Sequence, residues 1–222
     1  MTATVRPAGP LWWDLLVHLR INFQLILAPI FLWGFLLAGG LLGWRLVVGF
    51  LAVHMALYGG ITALNSYYDR DEGPVGGLWS PPPWRKELLP FAWAVQLLGL
   101  LAIVPLGLGM VVTYVAIMVL SVAYSHPAIR LKRRPLGALA VIAVGQGVLG
   151  FLTGWFSATP SPAGLLSLDI VIAIVGITLA TVGLYPLTHT YRVREDSERG
   201  DVTFAVRWGP DKAFRFALTA FG

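Results

Sequence analysis

Residues 65–72 read NSYYDRDE, closing a largely apolar run with an amide and three carboxylates. On a helix, Asn65 and Asp69 stand four residues apart and share one face, with Glu72 a turn further along it. Asp71 points elsewhere unless the helix breaks first, and the GPVGG stretch at 73–77 predicts the break there. An amide oxygen and a carboxylate on one face suit a hard cation. Mg2+ takes one or two protein carboxylates, keeps several waters and shares the oxygens of a substrate phosphate. Capping of a helix end by polar residues is the simpler use of the same side chains.

Two more charged stretches complete the set. Residues 188–209, THTYRVREDSERGDVTFAVRWG, interleave Glu195, Asp196, Glu198 and Asp201 with Arg192, Arg194 and Arg199. Residues 124–135, YSHPAIRLKRRP, gather Arg130, Lys132, Arg133 and Arg134. Arg forks and Lys point charges both suit phosphate oxygens. They serve equally as a topological signal or as a contact for anionic lipid. Each stretch alone reads as a solvated loop. Two acidic clusters and one basic cluster on the same side of a membrane read as the equipment for a Mg2+-bound diphosphate beside an apolar cavity. A substrate with a diphosphate head and a long apolar tail fits that geometry.

The elements that must position these groups are membrane helices. Of the 222 residues, 57% are hydrophobic and only 12% charged, against roughly 25% charged in a typical soluble domain. A bilayer span takes about 20 apolar residues. Six such runs occupy roughly 21–43, 46–68, 88–107, 109–126, 136–157 and 167–190. The fold class is therefore all-α, a polytopic membrane helical bundle, read as a single domain over 1–222. A seventh run opens near 212 and stops at Gly222, so it reads as a truncated span. The first twenty residues lack the apolar core of a signal peptide. They read as an amphipathic lead-in with Trp12 and Trp13 at the interface.

With the N-terminus on the cytoplasmic side, 15 of the 16 Lys and Arg fall in inner segments and only Arg45 falls outside. That is the bias expected of cytoplasmic loops. Of the 11 acids, only Asp169 falls outside. The positive-inside bias does not act on acids, so their concentration in the inner loops 69–87 and 195–211 needs another cause; function is one candidate, and simple exclusion from the spans is the plainer one, which does not explain why the outer loops lack them. This topology accounts for the net charge of +5 without a nucleic-acid partner. The absence of cysteine excludes disulfides, thiolate metal sites and a cysteine nucleophile. Gly39 with Gly43, and Gly150 with Gly154, have the spacing of close helix packing. Pro127 and Pro186 would end or kink helices near the inner surface. His54, His126 and His189 have no second His at i+3 or i+4, and read as packing or hydrogen-bonding groups rather than ligands. Gln146, mid-span, reads as a bond across helices or a contact to an acceptor.

The three motifs resemble those of the UbiA family of intramembrane prenyltransferases. That family carries an Asp-rich motif of the form NxxxDxxxD after its second helix and another after its sixth. NSYYDRDEG supplies Asn65 and Asp69 at the first two places, and the third falls on Gly73. REDSERGDVTFAVRWG is similar to the second motif and the stretch after it. With Asp196 as its second acid, the first place falls on Arg192. YSHPAIRLKRRP is similar to the family's segment between helices four and five.

The resemblance implies a fold of usually nine helices, six complete here. It also implies Mg2+-dependent transfer of a prenyl group from a prenyl diphosphate to an aromatic or other lipophilic acceptor, such as a quinone precursor, within the membrane. It implies that Asn65, Asp69 and Asp196 hold Mg2+, with Glu72, Glu195 and Asp201 as further ligands. Arg70, Arg130, Lys132 and Tyr124 are implied to bind the diphosphate, and Lys132 to neutralise it as it leaves. Tyr67, Tyr68 and Tyr124 would shield an allylic cation, at roughly 0.5–2 kcal/mol per contact. The acceptor, the chain length and the oligomeric state stay open. A prenyl-lipid binder without chemistry and a membrane transporter are the competing classes. A transporter places ionisable groups near the midplane, whereas here nearly all lie at the inner surface.

Overall fold

A computed structural model describes residues 7–71 and 73–222, so Arg6 and Glu72 lie outside the described residues. Regular structure among the described residues is helical, apart from a lone bridge between Val75 and Leu78. Among the described residues six helices are long and apolar enough to cross a membrane: Leu11–Leu37, Trp44–Asp69, Leu88–Leu106, Leu108–Ser125, Pro135–Ala158 and Leu168–Leu187. They are called spans one to six below. At 1.5 Å per residue even 18 residues reach about 27 Å, close to the thickness of the hydrocarbon layer.

Span one departs from the run expected at 21–43. Its helical stretch opens with Leu11–Val17, and left-handed Arg20 separates this piece from the rest. The piece is fastened down: buried Asp14 accepts from Arg85 at 2.7 and 3.1 Å, and Arg85 also donates to the Gly9 carbonyl at 3.0 Å. Trp12 and Trp13 stay exposed. Span one ends at Leu37 because Gly39 turns left-handed (φ 75°), and the amides of Gly39 and Gly40 return to Leu36 and Phe35. Gly39 and Gly43 therefore lie in a connecting turn and do not form a helix-packing pair, a correction to the sequence reading.

The close helix contact runs instead between spans one and five. A Cβ on Gly34 would sit 2.0 Å from the Phe151 carbonyl oxygen, and one on Gly154 would sit 1.9 Å from that of Phe31. Each glycine faces the other helix's backbone, as small residues do where helices pack in lipid. Spans two and five both widen mid-course into π-helical turns, at Ala52–Tyr58 and Ala143–Val148. His54 lies in the first of these, stacked on Phe50 with ring centroids 4.2 Å apart and Nδ1 3.1 Å from the Phe50 carbonyl. It packs, as the sequence suggested.

At the end of the bundle away from the charged loops, Arg45 donates to the carbonyls of Ser157, Leu106 and Phe156 at 2.8, 3.0 and 3.4 Å. It thus satisfies the last turns of spans three and five, where a cation also suits the helix dipoles. The helix Pro210–Phe221 lies against span six, where a Cβ on Gly183 would come within 3.0 Å of Ala220 Cβ.

Candidate functional site

The last turns of spans two, four and six meet the first turns of spans three and five at the other end of the bundle, and their loops exchange ion pairs. Three arginines shape the chain there. Arg20, Arg70 and Arg130 are the non-glycine residues with positive φ among the described residues, at 49°, 51° and 43°. A left-handed side-chain-bearing residue costs about 1–3 kcal/mol and persists only where its surroundings hold it. Arg70 ends span two at Asp69, four residues before the predicted break at Gly73. It also sends Asp69 and Asp71 to different partners.

Asp69 belongs to a cluster supplied by the loop after span four. Lys132 Nζ contacts its Oδ2, and Arg130 NH1 lies 3.3 Å from its Oδ1. Arg130 also forks onto Asp201, with Nε to Oδ1 at 3.1 Å and NH2 to Oδ2 at 2.9 Å. Arg133 adds a contact to Asp201 at 3.4 Å, and the Val202 amide bonds to the Arg133 carbonyl at 3.2 Å, tying the two loops together. Asn65, one turn above Asp69, donates its amide to Ser125 Oγ at 3.1 Å. The next residue back, Tyr124, shares a 2.9 Å hydroxyl contact with Tyr185, and Lys132 Nζ lies 5.8 Å from the Tyr124 ring. Asp196 pairs with His189 Nδ1 at 2.9 Å. Asp69, Asp196 and Asp201 all lie within electrostatic range of the Tyr124–Tyr185 pair, so the loops after spans two, four and six converge there.

Burial pushes the Lys132 ammonium below its ordinary pKa, and Asp69 opposes that shift without cancelling it. The Asp201 fork holds the Arg130 guanidinium above its ordinary value.

Asp71 centres a second cluster. It meets Arg199 at 2.7 Å, Arg192 at 3.0 Å and Arg20 at 3.5 Å. Arg20 also donates to Ser66 Oγ at 2.7 Å. Glu195 joins through Arg199 at 2.8 Å and Arg192 at 3.2 Å. Burial pushes the Asp71 carboxyl up, but Arg192, Arg20 and Arg199 together outweigh it and hold it below the ordinary carboxylate value.

The structure thus brings Asn65, Asp69, Tyr124, Arg130, Lys132 and Asp201 together, with Asp196 close by. It sends Glu195 to the Asp71 cluster. Arg70 is not at the cluster, because its left-handed backbone turns it outward to stack over Trp84, 4.5 Å from the ring. Glu72 lies outside the described residues. Among the described residues no three His, Asp or Glu side chains converge as a metal-holding group; Asp69, Asp71, Glu195 and Asp201 meet Arg or Lys instead. Asp69 Oδ1 is buried and accepts no well-formed hydrogen bond, its one ion contact being Arg130 NH1 at 3.3 Å. That oxygen suits one hard cation. An apolar groove of about 380 Å³ between spans three and four, lined by residues such as Trp93, Met118 and Ile129, contains none of these paired groups.

Sequence reasoning missed Arg20 and gave Asp71 no partner, while His189 hydrogen-bonds as expected, to Asp196. Arg20 did leave a signal, as a lone charge at the start of an apolar run, where ionisable residues are functional candidates by default.

Six membrane-spanning helices with paired acids and bases gathered at one end define a polytopic helical membrane protein with its polar chemistry at one surface. Residues 27–222 match the model of the UbiA prenyltransferase family, and the chain belongs to that family. Its fold is shared by solved structures of a UbiA homologue from Archaeoglobus fulgidus. The form bound to GPP and Mg2+ is 19% identical, with a TM-score of 0.74 over 93% of this chain and 73% of that one. The form bound to DMAPP and Mg2+ is 21% identical, with a TM-score of 0.73 over 94% and 73%. A Cd2+-bound form is 18% identical, with a TM-score of 0.67 over 93% and 73%. No curated protein matches the chain.

Proposed function

We propose that this chain transfers a prenyl group from a prenyl diphosphate to a lipophilic acceptor within the membrane, with Mg2+ as cofactor, and that residues 1–222 belong to a single domain. One observation supports the reading: Asp69 at the end of span two and Asp201 from the loop after span six both pair with Arg130, Lys132 joins Asp69, and Tyr124 at the end of span four lies beside Lys132. Membership of the prenyltransferase family supports it, as do the DMAPP and GPP bound with Mg2+ in the Archaeoglobus homologue.

Asn65, Asp69 and Asp196 would hold Mg2+, which supplies positive charge to the diphosphate when bound. Asp69 Oδ1, which accepts no hydrogen bond and meets only Arg130 NH1 at 3.3 Å, has acceptor capacity left for the ion. Lys132 and Arg130 are held by carboxylates and carry one positive charge in excess, counting Asp69, Asp201 and Arg133 with them. They donate N–H groups to diphosphate oxygens as the C1–O bond breaks and the electron pair leaves with the diphosphate. Acceptor attack on C1 then forms the new bond, and the acceptor's proton is lost. Tyr67 and Tyr68, in edge contact at 5.3 Å, offer aromatic faces to the allylic cation. Arg70 has no part in this reading. The basic residues of these loops support a cytoplasmic location for the polar end.

The test is product formation by the purified full chain in detergent. Geranyl, farnesyl and geranylgeranyl diphosphate are supplied with a panel of quinone precursors and other lipophilic acceptors. Mg2+-dependent prenylated product is expected. Tight Mg2+-dependent binding with no turnover on any acceptor would instead mark a binder that lacks the chemistry.

A further inference from the structure

The Asp71 cluster takes no part in the steps above, and its connectivity is distinctive. Arg192 reaches Asp71 Oδ1 at 3.0 Å and Glu195 Oε2 at 3.2 Å, while Arg199 reaches the same Asp71 oxygen at 2.7 Å and Glu195 Oε1 at 2.8 Å. Both guanidiniums bridge both carboxylates. The four side chains form a closed ring of alternating charge that joins the loop after span two to the loop after span six. Two carboxylates from separate loops drawn together by shared positive charge is the arrangement a divalent ion makes, and here guanidiniums make it.

The loop beside the ring explains why no metal is needed in it. A Cβ on Gly73 would lie 3.5 Å from Glu195 Oε2. An acid at 73 would face Glu195, and two carboxylates so close require a cation between them or a raised pKa. Glycine removes that charge, and Arg192 and Arg199 neutralise the two acids that remain. Arg20, 3.5 Å from Asp71, then leaves the group with one net positive charge. Its Nε–H is buried and has no acceptor, so an anion arriving there finds a donor waiting.

We propose that this chain binds its diphosphate with a single divalent cation, at Asp69, and that the Arg192–Arg199 ring on Asp71 and Glu195, with Arg20, takes the place of a second. The inference rests on the prenyl-diphosphate reading and narrows it. Arg192, Arg199 and Arg20 supply N–H donors and fixed charge to the diphosphate, so that part of the binding is independent of metal.

Mn2+ can be counted by electron paramagnetic resonance on the purified full chain with farnesyl S-thiolodiphosphate, a slowly cleaved analogue. One Mn2+ per chain is expected at saturation. Arg192→Asp is expected to admit a second. Arg192→Gln is expected to keep one and to bind the analogue about tenfold or more weakly, the usual effect of losing a charged hydrogen bond. Two Mn2+ in the wild type would overturn the inference and leave the prenyl-diphosphate reading intact. So would an Arg192→Gln protein that melts like the wild type and binds the analogue as tightly. A wild type that binds no analogue, with or without Mn2+, would overturn the prenyl-diphosphate reading and this inference with it. If the Arg192 variants do not fold, the wild-type count alone decides.

Discussion

Asp69 and Asp71 stand two residues apart and face different partners: Lys132 and Arg130 hold the first, while Arg20, Arg192 and Arg199 hold the second. Left-handed Arg70 between them makes the division. Glycine takes that conformation without strain, so Arg70→Gly regains about 1 kcal/mol. It loses an exposed stacking on Trp84 worth about 0.5–1 kcal/mol. Thermal melting in detergent should shift by no more than about 3 °C. Arg70→Val, which cannot take a left-handed turn cheaply, should melt clearly lower.

Asp71 makes a prediction about pH. Its folded pKa lies below its unfolded value, so its contribution is fully present above the unfolded pKa, near about 4. That contribution is lost as pH falls through the lower folded value. Asp71→Asn leaves three arginines short of a partner in a buried setting, a loss of about 3 kcal/mol or more. The stability gap between wild type and Asp71→Asn should be flat from neutral pH to about pH 5 and should shrink below about pH 4. Denaturation of both proteins across that range is the measurement, and a gap that widens on acidification would count against the ring.

The contact of spans one and five should tolerate no side chain. Gly34→Ala and Gly154→Ala each drive a Cβ into a carbonyl oxygen of the facing helix, so each should cost about 1–3 kcal/mol. Gly176→Ala, where a Cβ meets nothing within 4 Å, should be silent in the same melting experiment.

Arg45 tests the opposite end. Arg45→Ala leaves the Leu106, Phe156 and Ser157 carbonyls without their donor, a loss of about 1–3 kcal/mol. It should lower the melting temperature while leaving diphosphate affinity unchanged, because Arg45 touches none of the polar loops. A change in affinity would show that the two ends are coupled.

The helices were legible because lipid demands continuous apolar runs, and five of the six spans fall within two or three residues of those runs, though span two opens and closes slightly wider and span six ends at Leu187. Span one was harder. Spacing flagged Gly39 and Gly43, but nothing in a GxxxG pattern says whether the segment stays helical, and the packing glycine is Gly34. The chemistry-bearing loops were legible from residue type and order. The division of labour within them was not. It turns on the backbone of Arg70, and on ion pairs joining positions 20, 71, 192 and 199, which no local pattern links. The mid-span π turns left no mark in the sequence. Arg20 also precedes the stretch matched by the family model, which begins at residue 27.

The central claim is that Asp69 anchors a Mg2+-dependent diphosphate site. The direct measurement is diphosphate release from farnesyl diphosphate and a lipophilic acceptor, by wild type and Asp69→Ala, with and without Mg2+. The wild type should release diphosphate only with Mg2+. Asp69→Ala should insert and purify as wild type does and release none. Equal release by the two proteins, or release that ignores Mg2+, would contradict the account.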